Sequence, residues 1–136
     1  PANLRYATPA AAPNGITILI EPLNHHAAPG YFLTTTTQAA RLIDSLGAAN
    51  LKLMFDCYHV QIMEGDLTRR LERMRPVIGH VQFASVPDRG PPDAGEVNYA
   101  HVFAQIARLG WTAPLGAEYR PLAATDDSLG WLNRFR

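Results

Sequence analysis

Four short apolar runs, each closing on an acidic or amide residue, constrain this chain more than any other feature. Residues 16–20 lead into Glu21, residues 51–55 into Asp56, residues 78–83 carry Gln82, and residues 114–117 lead into Glu118. Aliphatic and β-branched runs of this length fit strands buried on both faces of a parallel sheet. Successive runs lie roughly 30 residues apart, the length of a strand, its crossover and the return strand. Helical signals fill the gaps. Thr34 to Thr37 offer N-cap hydroxyls before Leu42, Ile43 and Leu46, and Gly47 supplies a left-handed stop. Leu67, Leu71 and Met74 share one face of a short helix, with Asp66 as its expected cap. Asn98 is placed to cap a helix carrying Val102, Phe103, Ile106 and Leu109, and a last helix is expected from 125–127 to the chain end. Strand and helix alternate, so the fold class is α/β with a parallel sheet.

An open sheet and a barrel segment both satisfy that alternation. The polar strand ends favour a (β/α) barrel of TIM type, because the C-terminal ends of its strands all face one mouth. No glycine-rich phosphate loop follows the first run, which counts against nucleotide binding. Residues 1–15 read as an interrupted helix, since Pro9 and Pro13 each remove a backbone donor. At 136 residues the chain is a single domain by size, whereas a complete barrel needs about 250. Four βα units are therefore expected to form a half-barrel with two unpaired edges. Such a chain is expected to be part of a longer protein, to pair with a missing N-terminal half, or to close as a homo-oligomer.

Lys+Arg and Asp+Glu balance at 12 each, so no basic excess points to nucleic acid as a partner. The apolar runs are strand-length, no membrane span or signal peptide stands out, and a cytoplasmic location is expected. The single Cys57 has no partner for an internal disulfide and reads as packing.

Taken singly, each strand-end carboxylate is as well read as a salt bridge or a helix cap. Four in phase are harder to dismiss, because buried carboxylates and amides need compensation and a cation supplies it. Glu21, Asp56, Gln82 and Glu118 offer hard oxygen donors, which favours Mg²⁺ or Mn²⁺ and leaves Zn²⁺ open. Such a site suits proton transfer beside a carbonyl, with one carboxylate taking a proton and a second returning it to the neighbouring carbon. Glu21 and Glu118, on the first and fourth strands, are the natural pair. His59 is a candidate donor to a substrate oxygen, and Arg89, in the Pro- and Gly-rich stretch 85–98, a candidate for holding a substrate carboxylate. His80 shares Gln82's strand face one layer deeper and reads as core or as a support beneath the ligands, with a ligand role the lesser alternative. Glu96 is a candidate anchor for the long loop, and Arg120 a weaker anion contact. The loop 23–33, with His25, His26, Tyr31 and Phe32, is a candidate lid.

Several of these stretches together resemble one family. They are Ile20-Glu21-Pro22-Leu23-Asn24, Pro29-Gly30-Tyr31-Phe32-Leu33, Asp56-Cys57-Tyr58-His59, Glu64-Gly65-Asp66, Gly79-His80-Val81-Gln82, Pro87-Asp88-Arg89, Gly95-Glu96-Val97-Asn98-Tyr99 and Glu118-Tyr119-Arg120-Pro121. Jointly they are similar to the hydroxypyruvate isomerases, a branch of the xylose-isomerase-like TIM barrels, and the similarity covers the C-terminal half of such a barrel. The resemblance implies isomerisation of hydroxypyruvate to tartronate semialdehyde, or of a related small hydroxy-keto acid or sugar. It also implies metal positions at Glu21, Asp56, Gln82 and Glu118, catalysis by Glu21 and Glu118, and substrate contacts from His59 and Arg89. Gln82 stands where many related epimerases have histidine. Two departures are visible: His25-His26-Ala27-Ala28 replaces a stretch that often contains arginine, and Pro9 interrupts a helix that is regular in relatives. The alternatives in view are a 2-oxo-tetronate or other sugar isomerase or epimerase, a metal-dependent endonuclease, and an inactive half-barrel.

Overall fold

A computed structural model describes residues 1–121 and 123–135. Four parallel strands, β1 (Ile18–Ile20), β2 (Leu51–Asp56), β3 (Ile78–Phe83) and β4 (Gly116–Ala117), lie side by side in chain order. Helix α1 (Ala2–Ala11) precedes the sheet. The crossovers are α2 (Thr36–Leu46) between β1 and β2, α3 (Cys57–Met63) and α4 (Leu67–Met74) between β2 and β3, and α5 (Tyr99–Arg108) between β3 and β4. A sheet whose spatial order equals its sequence order is an arc of a (β/α) barrel, not the reversing sheet of a doubly wound fold.

Alternation along each strand assigns its two faces. Leu51, Leu53 and Phe55 of β2, with Val81 and Phe83 of β3, are buried against the helical layer. There they meet Ala39 and Ile43 of α2, Leu71 and Met74 of α4, and Val102 and Ile106 of α5. Lys52, Met54, His80 and Gln82 occupy the other face and are only half-buried. A register shift between Leu53 and Met54 admits one extra residue in β3, so Leu53 pairs with Ile78 but Met54 pairs with His80. The residue passed over is Gly79. A Cβ there would lie 2.6 Å from Leu19 Cδ2 and 2.6 Å from Lys52 Cβ, so only glycine fits. The shift sets Asp56 opposite Gln82, and both side chains then leave the sheet on the same face.

The caps of α2 and α5 follow the sequence signals. Thr35 Oγ1 accepts from Gln38 N, Gly47 (φ 61°) ends α2, and Asn98 Oδ1 accepts from His101 N. Other expectations need correction. Asp66 adopts a left-handed backbone (φ 50°) instead of the extended geometry of a side-chain cap, and makes no such bond to α4. Pro9 lies inside α1 without ending it: the bond it forgoes falls in the exposed last turn, while Thr8 Oγ1 donates to Leu4 O at 2.9 Å. Pro13 sits in a 3₁₀ turn, Ala12–Asn14. The first strand begins only at Ile18, because the Ile16 carbonyl is taken by the Asn50 side chain and Ile16 itself is exposed. The last segment, Asp126–Arg134, is a 3₁₀ run with Trp131 buried, and Arg136 lies outside the described residues. Helix α3 was not anticipated at all. No described helix is long and apolar enough to cross a membrane.

Candidate active site

The C-terminal ends of the strands bring their polar residues to one place. Glu21 follows β1 directly, and its Oε1 is buried without a hydrogen-bond partner. Asp56 ends β2 and also caps α3: its Oδ1 accepts from Tyr58 N at 2.9 Å, which leaves Oδ2 buried without a hydrogen bond and 3.5 Å from the Arg89 guanidinium. Gln82 Oε1 is in the same condition. Three of the four expected metal ligands thus each present one buried, unsatisfied oxygen. Buried oxygens without hydrogen bonds are costly and scarce in folded proteins, and oxygens so placed at neighbouring strand ends suit a cation.

His59 stands on the first turn of α3, 2% exposed. Its Nε2 lies 3.7 Å from Asp56 Oδ2 and 3.9 Å from Glu21 Oε1. Ligand-capable atoms of Glu21, Asp56 and His59 fall within 4.8 Å of one another, a spacing one metal ion could bridge. On its other edge the imidazole meets Asn24, which is wholly buried in the loop after β1.

Arg89 and Glu118 complete the cluster. Arg89 Nη2 donates to Glu118 Oε2 at 2.6 Å and lies 3.5 Å from Asp56 Oδ2, while the guanidinium stacks 4.9 Å above the Tyr58 ring. Its backbone is left-handed (φ 55°), a conformation disfavoured for a long side chain and often found where function fixes a residue. The Ser85 carbonyl and the Arg120 amide hold it there, accepting from Arg89 N and donating to Arg89 O. Glu118 is about half exposed, and its amide extends the ladder to Phe83 O.

Burial and mutual repulsion shape the charges. Glu21 is raised to about 7, first by burial and then by the neighbouring Asp56 and Glu118, with Arg89 opposing. Asp56 is raised to about 6 by burial, against the Tyr58 amide and Arg89. His59 is lowered to about 4 by burial and by Arg89, so the ring is neutral. A carboxylate near neutrality suits proton exchange with a carbon acid at physiological pH.

The remaining candidates fall outside the cluster. His80 packs beside Gly116, where a Cβ would approach His80 Nε2 to 2.9 Å. Glu96 fastens the long loop through its amide to Val86 O and its carboxylate to Gln61. Arg120 contributes its backbone amide and keeps its side chain exposed. Cys57 is fully buried with its thiol pushed up, a packing residue. His25 and His26 are exposed, as are Tyr31 and Phe32.

Residues 2–135 match the sequence profile of the xylose isomerase-like TIM barrel family. The chain belongs to that family. Among curated relatives it is 48% identical over 133 residues to a 2-oxo-tetronate isomerase of Cupriavidus necator, covering 98% of this chain and 51% of that protein. It is 43% identical over 134 residues to a hydroxypyruvate isomerase of Escherichia coli, covering 98% and 52%. A structure described as an AP endonuclease of family 2 from Brucella melitensis superposes with TM-score 0.94 at 44% identity, over 99% of this chain and 52% of that one. The chain spans about half the length of the xylose isomerase-like relatives it matches.

Sequence reasoning passed over Asn24 as a working residue. It is an asparagine just past a strand end, followed by turn-forming residues, and that Asx-turn signal was available. Its contact with His59, 35 positions away, was not.

Proposed function

We propose that this chain carries the proton-transfer site of an isomerase acting on a small hydroxy-keto acid, with hydroxypyruvate as the reference substrate and 2-oxo-tetronate as the close alternative. The observation that carries this reading is the set of three buried oxygens without a hydrogen bond, Glu21 Oε1, Asp56 Oδ2 and Gln82 Oε1. Glu21, Asp56, Gln82 and Glu118 would hold a divalent cation, and hard oxygen donors favour Mg²⁺ or Mn²⁺. When bound, that cation polarises the adjacent carbonyl and hydroxyl oxygens and offsets the carboxylate charges.

The chain's own groups do the rest. Glu21, raised to about 7, exchanges a proton with the hydroxymethyl carbon. Glu118, at the far end of the four-strand arc, serves the neighbouring carbonyl carbon. The proton leaving one carbon is matched by the proton gained at the other, and a hydroxyl proton passes between the two substrate oxygens. His59, with a ring nitrogen close to both carboxylates, would hydrogen-bond a substrate oxygen. Arg89, paired with Glu118 in this structure, is the group for the substrate carboxylate, which a guanidinium can grip with two parallel bonds. The names of the two relatives above support both substrates.

The test is isomerisation of hydroxypyruvate and of 2-oxo-tetronate with added Mg²⁺ or Mn²⁺, for wild type and Glu118→Gln. Loss of an acid–base group is expected to slow turnover by about 10²–10⁴-fold, while cation binding, measured by calorimetry, weakens but stays detectable through Glu21, Asp56 and Gln82. Unchanged turnover in Glu118→Gln would sink the two-glutamate reading. Cation binding without wild-type turnover would mark the chain as an inactive half-barrel. The description of the Brucella structure favours one second reading, an endonuclease; the balanced charge of 12 basic and 12 acidic residues counts against it, and cleavage of an abasic-site duplex would decide for it.

A further inference from the structure

The hydrogen bonds around His59 fix which of its nitrogens carries the proton. Asn24 Oδ1 lies 3.0 Å from His26 N and 2.8 Å from Ala27 N. Backbone amides can only donate, so the Asn24 atom facing them is the oxygen, and the amide NH₂ must be the group turned toward His59. That NH₂ lies 2.8 Å from His59 Nδ1, and the Asn24 backbone N–H donates to the same atom at 2.9 Å. Two donors converge on Nδ1 with no acceptor between them. Nδ1 is therefore bare, and the ring's proton sits on Nε2, which faces Glu21 Oε1 and Asp56 Oδ2. A protonated nitrogen has no lone pair for a metal. Proximity alone groups His59 with the two carboxylates as a ligand set; its tautomer removes it from that set.

We propose that Asn24 is a positioning residue that locks His59 as an Nε2–H donor and keeps the ring out of the cation's coordination sphere, so that the site binds metal through oxygen alone. The Asn24 side chain spans two jobs at once, its oxygen closing the turn at 24–28 and its nitrogen setting the ring. Both partners are buried, His59 at 2% and Asn24 at 0%, so water does not compete for these bonds. Ligand-orienting contacts of this kind ordinarily raise the basicity of a metal-bound histidine through a carboxylate or carbonyl acceptor. Here the partner is a donor, which has the opposite effect.

This deepens the reading above, since it divides one site between cation and substrate. It is tested without turnover. Long-range ¹H–¹⁵N spectra of the imidazoles in the metal-free protein near neutral pH are expected to show His59 as the Nε2–H tautomer, unchanged in that respect on adding Mg²⁺ or Zn²⁺. Asn24→Asp keeps an oxygen for His26 N and Ala27 N and keeps the backbone N–H donor at Nδ1, but replaces the side-chain donor there with a charged acceptor. In that variant the ring proton is expected to be shared between Nδ1 and Nε2, because the new carboxylate opposes the remaining backbone donor. In the Nδ1–H share Nε2 becomes free to bind Zn²⁺, whose affinity relative to Mg²⁺ should rise by about tenfold or more. An Nδ1–H ring in wild type, or loss of the Nε2–H signal when Zn²⁺ binds wild type, overturns the proposal. So does an Asn24→Asp spectrum identical to wild type. If Asn24→Asp fails to fold, the wild-type spectra with and without Zn²⁺ decide by themselves. Failure of the isomerase assay would leave these spectra untouched, so the two readings fail separately.

Discussion

Glu21, Asp56 and His59 crowd titratable groups into a buried place, and the crowding has a pH signature. For Glu21 the carboxyl moves from an ordinary 4.5 to about 7, and for Asp56 from 3.8 to about 6. A carboxyl raised in the folded state binds its proton more tightly there, so each contributes stability on acidification and loses it as pH climbs through its folded value. His59 works the other way, falling from 6.5 to about 4, because the unfolded ring takes up a proton that the folded ring refuses. Two groups against one leave a net gain toward acid. The metal-free protein is thus expected to unfold at higher denaturant near pH 5 than at pH 7.5, with that preference lost in Glu21→Gln, where Asp56 and His59 oppose each other. Added Mg²⁺ or Mn²⁺ should raise the midpoint more at pH 7.5 than at pH 5, since protons occupy the same oxygens. Midpoints that do not move with pH in either form would count against the charge cluster as described. At this scale the strand-end residues were legible because a position at a parallel strand's C-terminal end dictates where the side chain goes. The Asn24–His59 contact and the Arg89–Glu118 pair were not, because each joins a loop residue to a residue of a different strand–helix unit, and their meeting depends on how the units pack.

Between residue and fold, β3 carries the element on which the site's alignment depends. A regular ladder from Leu53 and Ile78 would set Asp56 opposite Val81, a residue buried among the helices. The extra residue, Gly79, moves Gln82 into that place. Gly79→Ala puts a methyl 2.6 Å from Leu19 Cδ2 and from Lys52 Cβ, and the latter atom cannot swing away as a side-chain tip would. Overpacking of this kind costs about 1–3 kcal/mol, and relief by returning to the regular register would turn Gln82 from the site. The variant is expected to lose about that much stability by denaturant unfolding and to bind cation more weakly. Full retention of both would show that the shift is not needed. The sequence reading saw a continuous strand here, because a bulge leaves no mark on an apolar run except the glycine. Helix α3 escaped for a related reason: Asp56 ends β2 and caps α3 in one residue, with no Gly, Pro or Asn between them to announce a new element. The caps Gly47 and Asn98 were legible because each stands alone between an apolar pattern and a loop, whereas Thr35 is one of four consecutive threonines and only the run Thr34 to Thr37 could be named.

For the whole molecule, the unresolved balance lies between a helical face that is covered and a sheet face that is not. Parallel sheets occur almost always buried on both faces, since their strands pair with helices outside and with each other's side chains within. In this arc Leu51, Leu53, Phe55, Val81 and Phe83 have that cover, while Lys52, Met54, His80 and Gln82 are left half-buried across the inner side. Strands β1 and β4 have neighbours on one side only among the described residues. Ile16, beside β1, is 55% exposed, and Phe32, in the loop after it, is 74% exposed. An inner face of this kind is satisfied by a complementary arc, and two copies of one arc related by a twofold axis supply one without any further chain. Expressed as these 136 residues, the protein is expected to run as a dimer or larger species in light scattering, with cooperative unfolding whose midpoint rises with protein concentration. His80→Glu, which places a carboxylate on the inner face below Gln82, should weaken that association while leaving the helical layer packed. A compact monomer whose midpoint is independent of concentration would instead mean that the half-covered sheet is stable alone, and the cost of its exposed inner face would have to be met by the helical core.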